Sequence, residues 1–320
     1  MKDLMNMLAN AGTPERNKDV AERLNGQPTE TLALLDTVFK TDSNLDLKHK
    51  VLDLADFLSS KLAVATVERA IIDGDFKIRV RALQVAYRLR IDALNDKMTE
   101  ILVNPRLDFE MRKWALHVLA STDITNQGRL LREIARRQDE DLELRREAIF
   151  ALTNAVSDEA LGTLCALLGD VNEEIRRSSA WALARIRVPE SINCLLAALD
   201  DSDDQVRDWA IRGLRDMDDS KALEKLSETL LNRSPSEQVR IIRLVVERRS
   251  EVIQRAIVML LDSESSEVRR VAAWALSISP YPPAVPSLRE LLNDEDEDVR
   301  SYARAALIRS GGIDTSDLRM

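Results

Sequence analysis

The stretch Asp296–Leu307 reads DEDVRSYARAAL and fits the pattern D-x-x-V-R-x-x-A-x-x-A-L. An aliphatic residue followed by a basic one recurs in this setting along most of the chain. The copies lie 29 to 33 residues apart, at Ile78-Arg79, Met111-Arg112, Leu144-Arg145, Ile175-Arg176, Val206-Arg207, Val239-Arg240, Val268-Arg269 and Val299-Arg300. Leu47-Lys48 is a degenerate earlier copy. A repeat of this period indicates one small structural unit per copy, stacked on its neighbours.

Each unit is expected to contain two helices joined by a short turn. Amphipathic segments between the motifs, such as Glu159–Leu168 and Lys221–Leu231, predict a first helix A, and the motif opens a second helix B. The acid three residues before the aliphatic residue, for example Asp203, lies where an N-cap belongs. Ser236 occupies the same slot before Val239. Low aromatic content (4%) and only nine glycines in 320 residues also favour helices over sheets.

The repeated motif resembles the HEAT-repeat family, and specifically its short bacterial phycobilisome-lyase HEAT-like subtype. The resemblance implies an all-α fold, a right-handed α-solenoid of about nine helical hairpins. Residues 27–310 would form one continuous array, residues 1–26 a helical N-terminal cap and residues 311–320 a flexible C-terminal tail. It also implies a ladder in which each motif arginine pairs with an N-cap acid of a neighbouring unit. The copy at Val239 departs most, with Arg243 in place of the usual Ala, which predicts looser packing there or a local bend of the array.

The helical period assigns the residues of helix B to two faces. When the motif aliphatic residue is position 0, positions 0, 4, 5, 7, 8 and 11 share an apolar arc that predicts the core. Positions 2, 3, 6 and 10 form the opposite stripe, which the resemblance places on a concave surface. Over eight copies this stripe holds ten basic and three acidic residues, although the whole chain has a net charge of −9. All four tryptophans also lie in it.

A basic, aromatic stripe on an acidic body indicates a recognition surface, because Arg and aromatic side chains are common anchors of binding. The alternative interpretation is solvated arginines and tryptophans packed between neighbouring B helices. The candidate partner-binding residues are Arg81, Arg88, Lys113, Trp114, His117, Arg146, Phe150, Arg177, Trp181, Arg185, Trp209, Arg212, Arg270, Trp274 and Tyr302.

Signals for catalysis, cofactors and membranes are missing from the sequence. It contains no phosphate-binding glycine loop and no nucleophile elbow, and its two histidines, His49 and His117, are too few for a metal cluster. We therefore expect no catalytic residue, no metal and no cofactor, and no apolar run approaches a membrane span.

Cys165 and Cys194 lie in apolar runs of adjacent units, which predicts unpaired core cysteines and a reducing, cytoplasmic location.

The sequence thus favours a non-catalytic scaffold or adaptor whose concave groove holds an acidic segment of another protein. The resemblance leaves three alternatives open. One is a bilin lyase-like subunit that binds a tetrapyrrole. Another is a DNA-binding protein like the HEAT-like alkylpurine glycosylases, which the acidic charge disfavours. The third is an immunity protein that neutralises a toxin.

Overall fold

The computed structural model describes residues 2–40, 44–122, 124–217 and 219–312, and for residues 124–126 it describes the backbone alone. These ranges contain α-helices and short 3-10 turns, and no strand. The chain divides into two compact units, residues 1–155 and residues 156–320. Each unit is a stack of helical hairpins, as the repeated motif predicts. The all-α solenoid fold is therefore confirmed. Most of the expected C-terminal tail, residues 313–320, lies outside the described ranges.

In the described residues of unit 1, ten α-helices form five hairpins. The helices are α1 (Lys2–Ala9), α2 (Pro14–Gly26), α3 (Pro28–Lys40), α4 (Leu45–Leu54), α5 (Ser60–Ala70), α6 (Phe76–Leu89), α7 (Asn95–Val103), α8 (Phe109–Thr122), α9 (Ile124–Arg136) and α10 (Leu142–Leu152). Among its motif-bearing hairpins the odd-numbered helix is helix A and the even-numbered one is helix B. The B helices α4, α6, α8 and α10 pack on one another in chain order.

The part of unit 2 that the structure describes repeats the arrangement with another five hairpins. Its helices are α11 (Asp158–Leu167), α12 (Glu173–Ile186), α13 (Ile192–Ala198), α14 (Asp204–Asp216), α15 (Ser220–Leu231), α16 (Pro235–Val245), α17 (Glu251–Met259), α18 (Ser266–Ile278), α19 (Val285–Glu290) and α20 (Glu297–Arg309). The B helices α12, α14, α16, α18 and α20 pack on one another. They approach closely because small residues face the contact. A Cβ atom on Gly213 of α14 would lie 2.9 Å from the Ala184 Cα atom of α12.

Most B helices begin where the motif predicts, and in α6, α10, α12, α14 and α20 a side chain caps the first backbone N–H groups. The Asp75 carboxylate accepts hydrogen bonds from the backbone N–H groups of Lys77 and Ile78 at 2.8 and 3.1 Å. Asp141, Asp203 and Asp296 cap α10, α14 and α20 in the same way. Each cap satisfies donors that have no partner inside the helix, which typically contributes about 1 kcal/mol.

At several copies the motif arginine pairs with an acid of the next hairpin, but the expected N-cap partner is wrong. Arg176 pairs with Asp201 at 2.9 Å, Arg269 pairs with Asp294 at 2.8 Å, and Arg112 makes two bonds to Glu140. These acids lie one or two residues before the N-cap of the next helix B. The motif guanidinium reaches the acid that precedes the cap, and the cap carboxylate accepts hydrogen bonds from the helix N–H groups.

Helix α16 contains a second departure from the sequence-based register. Its buried residues are Gln238, Val239, Ile241, Ile242 and Val245, and Val246 directly after the helix is also buried. This pattern shifts the buried face by one residue relative to the other copies. The N-cap is Ser234 and not Ser236, which lies inside the helix. Arg240 consequently leaves the ladder and pairs with Asp208 and Asp204 of α14, both at 2.7 Å. Arg243, which the motif places at a core position, is exposed.

The two cysteines correct another expectation. Cys165 of α11 and Cys194 of α13 form a disulfide bond, and both residues are half-buried. The sequence predicted unpaired core cysteines because two cysteines make no framework. Consecutive A helices place equivalent positions side by side, however, and the two Cα atoms are therefore 5.5 Å apart.

Crossing a bilayer takes a longer and more apolar helix than any found in the described ranges.

Candidate functional site

The candidate binding residues lie along the B helices, and we call this set of side chains the B-helix surface. Trp114, Trp181, Trp209 and Trp274 are all half-buried: part of each side chain packs on neighbouring helices and part reaches solvent. The indoles are therefore not sealed inside the core. Because the chain divides into two units, the surface is described for each unit separately.

In unit 1 the aromatic side chains form a cluster across three B helices. The Tyr87 ring centroid lies 5.9 Å from that of Trp114 and 6.0 Å from that of His117, and Trp114 meets His117 edge-on at 5.2 Å. The His117 Nε2 atom lies 3.0 Å from a carboxylate oxygen of Glu147 on α10. Phe150 completes the wall of a cleft of about 420 Å³ beside this cluster, which is large enough for part of a peptide or a small molecule.

The basic residues of the surface in unit 1 have acidic partners. Arg81 pairs with Asp53, and Arg88 pairs with Asp56 at 2.9 Å. Lys113 pairs with Glu110, and Arg146 pairs with Glu143, both at 2.8 Å. Glu110 and Glu143 directly precede the motif aliphatic residue, and Asp53 and Asp56 belong to the degenerate first copy. The charge count over positions 2, 3, 6 and 10 of eight copies therefore omitted all four acids. In unit 1 the positive charge of the candidate residues is largely balanced by their own neighbours.

In unit 2 two arginines stack on tryptophan faces. The Arg185 guanidinium carbon lies 5.7 Å from the Trp181 ring centroid, and Arg212 lies at the same distance from Trp209. Both arginines are exposed, and neither has a carboxylate partner within the described residues. A guanidinium held over an indole keeps its hydrogen-bond donors directed to solvent, and this arrangement suits recognition of an anion.

Arg177 makes structural ion pairs in addition to lying on the B-helix surface. Its guanidinium makes two bonds to the Asp203 carboxylate, at 3.0 and 2.5 Å, and a third to Glu173 at 3.1 Å. The hydrogen bond from Arg177 is the largest influence on Asp203 and lowers the pKa of that carboxyl to about 2, against opposition from burial. Asp203 is also the N-cap of α14. Arg177 therefore links two hairpins, and its replacement affects stability as well as the surface.

Replacement of Asp203 with Asn distinguishes the stability that this residue contributes as the N-cap of α14 from the stability contributed by its ion pair with Arg177. Asn keeps the cap, as Asn172 does for α12, but it removes the ion pair with Arg177. A carboxyl with a lowered folded pKa contributes stability above its unfolded pKa near 3.8, and this stability is lost as pH falls toward 2. At pH 7 we expect D203N to lower the free energy of unfolding by roughly 1–2 kcal/mol in urea titrations.

Asp296 provides the matched control for that experiment. Its carboxylate caps α20 through Asp298 and Val299 and has no arginine partner in the described ranges. D296N should therefore cost less stability than D203N. The stability of D203N should also vary less between pH 4 and pH 2 than that of the wild type. Equal losses and equal pH profiles in the two variants would show that the ion pair contributes nothing.

A second cleft lies between α16, α18 and α20 in unit 2 and has a volume of about 430 Å³. We call it the unit-2 cleft. Its wall contains the expected residues Arg270, Trp274 and Tyr302, together with Arg243 and Asp298. Arg270 lies 3.5 Å from a carboxylate oxygen of Asp298 and 4.0 Å from one of Glu267, so both contacts are at the long end of an ion pair.

Tyr87 and Arg243 line these clefts, although neither is among the candidate residues predicted from the sequence. Tyr87 occupies position 9 of its motif, which falls about 20° outside the predicted stripe at 100° per residue. A wider stripe would have included it. Arg243 occupies position 4, which is core in the other copies, and only its departure from Ala marked it. The shifted register of α16 then brings it to the surface.

The sequence contains three overlapping matches to the family model described as HEAT repeats, at residues 128–215, 163–244 and 223–308. Together these matches cover more than half of the chain, and they coincide with the hairpins and the arginine ladder described above. The chain belongs to the HEAT-repeat family. No curated protein sequence matches the chain.

Solved structures of other HEAT proteins are similar in fold. A chain of the Kap95:Nup1 complex has a TM-score of 0.59 at 12% identity, and the alignment covers 98% of this chain but only about half (52%) of that one. YibA of Escherichia coli has a TM-score of 0.47 at 16% identity, with 83% and 98% of the two chains covered. Human deoxyhypusine hydroxylase has a TM-score of 0.35 at 17% identity, with 89% and 99% covered. At these identities the similarity concerns the fold alone.

The described residues contain no group of three or more His, Cys, Asp or Glu side chains arranged to hold a metal ion. The polar clusters of the B-helix surface consist of arginines paired with carboxylates and of one His–Glu pair. What these clusters offer chemically is directed hydrogen bonding and charge beside aromatic faces.

Proposed function

We propose that this HEAT-repeat protein is a non-catalytic scaffold whose B-helix surface holds an acidic segment of another protein. The observation that carries the proposal is the pair of exposed arginines stacked on tryptophans in unit 2, Arg185 on Trp181 and Arg212 on Trp209. Each pair combines a rigid apolar face with donors for a carboxylate, the combination found at energetic centres of protein interfaces.

The distribution of ion pairs assigns more of the acidic partner's binding energy to unit 2 than to unit 1. Arg81, Arg88, Lys113 and Arg146 already have carboxylates beside them, so an incoming acid would have to displace an existing partner. An acid that binds Arg185 or Arg212 would displace no carboxylate of the described residues. In unit 1 the proposed contribution is mainly apolar, through Tyr87, Trp114 and Phe150 around the cleft.

The family supports binding of a protein in preference to catalysis. Stacked helical hairpins present long continuous surfaces, and their concave sides commonly hold extended partners. The similar Kap95 chain is described in a complex with Nup1, another protein. We propose that in this chain too the B helices line a concave side. The continuous array over residues 27–310, the phycobilisome-lyase-like subtype and the absence of a cofactor stay predictions. A cytoplasmic location also stays a prediction, and the disulfide bond weighs against it.

A peptide library displayed on phage tests the proposal. Random dodecapeptides panned on the immobilised protein should yield enriched sequences with a net negative charge, since the accessible donors of the surface are cationic. The double variant Trp181→Ala/Arg185→Gln should bind the selected peptides at least tenfold more weakly, because one stacked pair is removed and no ladder contact is touched. Affinity is measured by fluorescence anisotropy with a labelled synthetic peptide.

The matched control is Arg255→Gln on helix A of the fourth hairpin of unit 2. Arg255 is exposed and pairs with Glu251, away from the B-helix surface, so peptide affinity should stay within twofold of the wild type. Circular dichroism and thermal melting establish that both variants fold. If no peptide is enriched, or if the enriched peptides are basic, the proposed function is wrong.

A further inference from the structure

The unit-2 cleft brings together two arginines that the repeat motif does not place together. Arg243 extends from α16 because the register of that helix is shifted by one residue, and Arg270 extends from the facing side of α18. Other copies have a small buried residue at the position of Arg243, such as Ala272 in α18 and Ala303 in α20. The repeat fold does not require an arginine there, because Ala fills the same position elsewhere in unit 2.

The charge in the unit-2 cleft is not balanced by the protein itself. Arg243 is exposed, and no ion pair or hydrogen bond joins it to any residue in the described ranges. Arg270 has long contacts to Asp298 and Glu267, whose side chains are 66% and 56% exposed and therefore largely hydrated. Two guanidinium groups face a cleft that contains a single carboxylate among its lining residues. An anion entering this cleft would meet donors from both sides.

The remaining walls of the unit-2 cleft are apolar and aromatic. Trp274 and Tyr302 are half-buried, so each ring is fixed by packing while part of it stays accessible, and Val271 lies between them and the arginines. Rigid aromatic walls beside two cations fit a side chain with a carboxylate and an adjacent apolar residue. A volume of about 430 Å³ is enough for two such side chains but not for a folded domain.

We infer that the unit-2 cleft is the anchoring site for an acidic segment of a partner protein, with a carboxylate between Arg243 and Arg270 and a neighbouring apolar side chain against Trp274 and Tyr302. The inference rests on the proposed function and identifies where its principal contact lies. It commits to a peptide, because the aromatic walls offer an apolar residue a contact that free phosphate would leave unused.

The test uses the full chain and a labelled acidic peptide selected on it from the dodecapeptide library. Arg243→Ala restores the residue found in other copies, so the variant is expected to fold. Combined with Arg270→Gln it should weaken peptide binding at least tenfold, and the remaining binding should be less sensitive to salt. Arg304→Gln provides the matched control, since Arg304 is an exposed arginine of α20 that does not line the cleft, and its affinity should stay within twofold.

A charge exchange makes the assignment specific. The Arg243→Glu variant should bind the acidic peptide weakly. It should bind a peptide in which one Glu is replaced by Lys more tightly than it binds the original peptide. Unchanged affinity of the Arg243→Ala/Arg270→Gln variant would overturn the site while leaving the proposed scaffold function standing. Failure of the wild type to enrich any peptide would overturn both. Tight binding of a 20-base-pair DNA duplex that depends on Arg243 and Arg270, without peptide binding, would replace the peptide with a nucleic acid.

Discussion

Lys48→Met is expected to destabilise unit 1 by about 3–5 kcal/mol, the usual cost of removing one partner from a buried ion pair. The Lys48 ammonium lies 2.7 Å from an Asp73 carboxylate oxygen, and the two side chains are only 2% and 0% exposed. Met fills a similar volume but leaves the Asp73 carboxylate buried without a counter-charge. Urea unfolding followed by circular dichroism measures the loss, and hydrogen exchange should show that α4 and α6 open first.

A second variant distinguishes the unpaired charge from lost packing. Asp73 also accepts a hydrogen bond from the Asp75 backbone N–H at 2.9 Å, which an Asn side chain can preserve. The double variant Lys48→Met/Asp73→Asn should therefore recover much of the stability lost by the single one. Lys97→Met serves as the control, because Lys97 pairs with Glu100 on an exposed helix surface, where about 0.5 kcal/mol or less is expected. A loss in Lys48→Met no larger than in Lys97→Met would contradict the prediction.

The fold was predictable from the sequence because the same requirement recurs in every copy. Each helix B needs a cap, an aliphatic residue at its start and small residues where it meets the next helix B, and Asp296–Leu307 shows all three. The ladder was predictable in kind but not in its partner. The motif arginines Arg176 and Arg269 bind Asp201 and Asp294, each two residues before the cap. Asp203 accepts from the helix N–H groups and from Arg177 together, so the motif alone does not identify which acid an arginine meets.

The candidate site was less predictable because it depends on contacts between copies. Periodicity places Trp181 and Arg185 on one face, and the structure stacks them. Periodicity does not reveal that Arg81 or Arg177 meets an acid from an adjacent hairpin, which converts a surface charge into a structural one. In α16 the Val239-Arg240 dipeptide is one residue out of register with the buried face, so the motif wrongly assigns Arg243 to the core. Such a slip changes which face a side chain occupies without disturbing the overall pattern.

Reduction of the Cys165–Cys194 disulfide is expected to lower the stability of unit 2 by about 3–4 kcal/mol, as loop-closure entropy predicts for cysteines 29 residues apart. The bond ties consecutive A helices together around α12, so its loss affects the region that carries Trp181 and Arg185. Thermal melting with and without a reductant measures the change, and a thiol assay under denaturing conditions should find no free cysteine before reduction and two after it.

The double variant Cys165→Ala/Cys194→Ala separates the bond from its packing. Its melting temperature should resemble that of the reduced wild type and should not respond to reductant. Two free thiols in protein purified without reductant would contradict the bond and restore the expectation of unpaired cysteines in a reducing compartment. A stable bond has the opposite consequence for location, because disulfides persist where the surroundings are oxidising. The same assay therefore tests this contact of the structure directly.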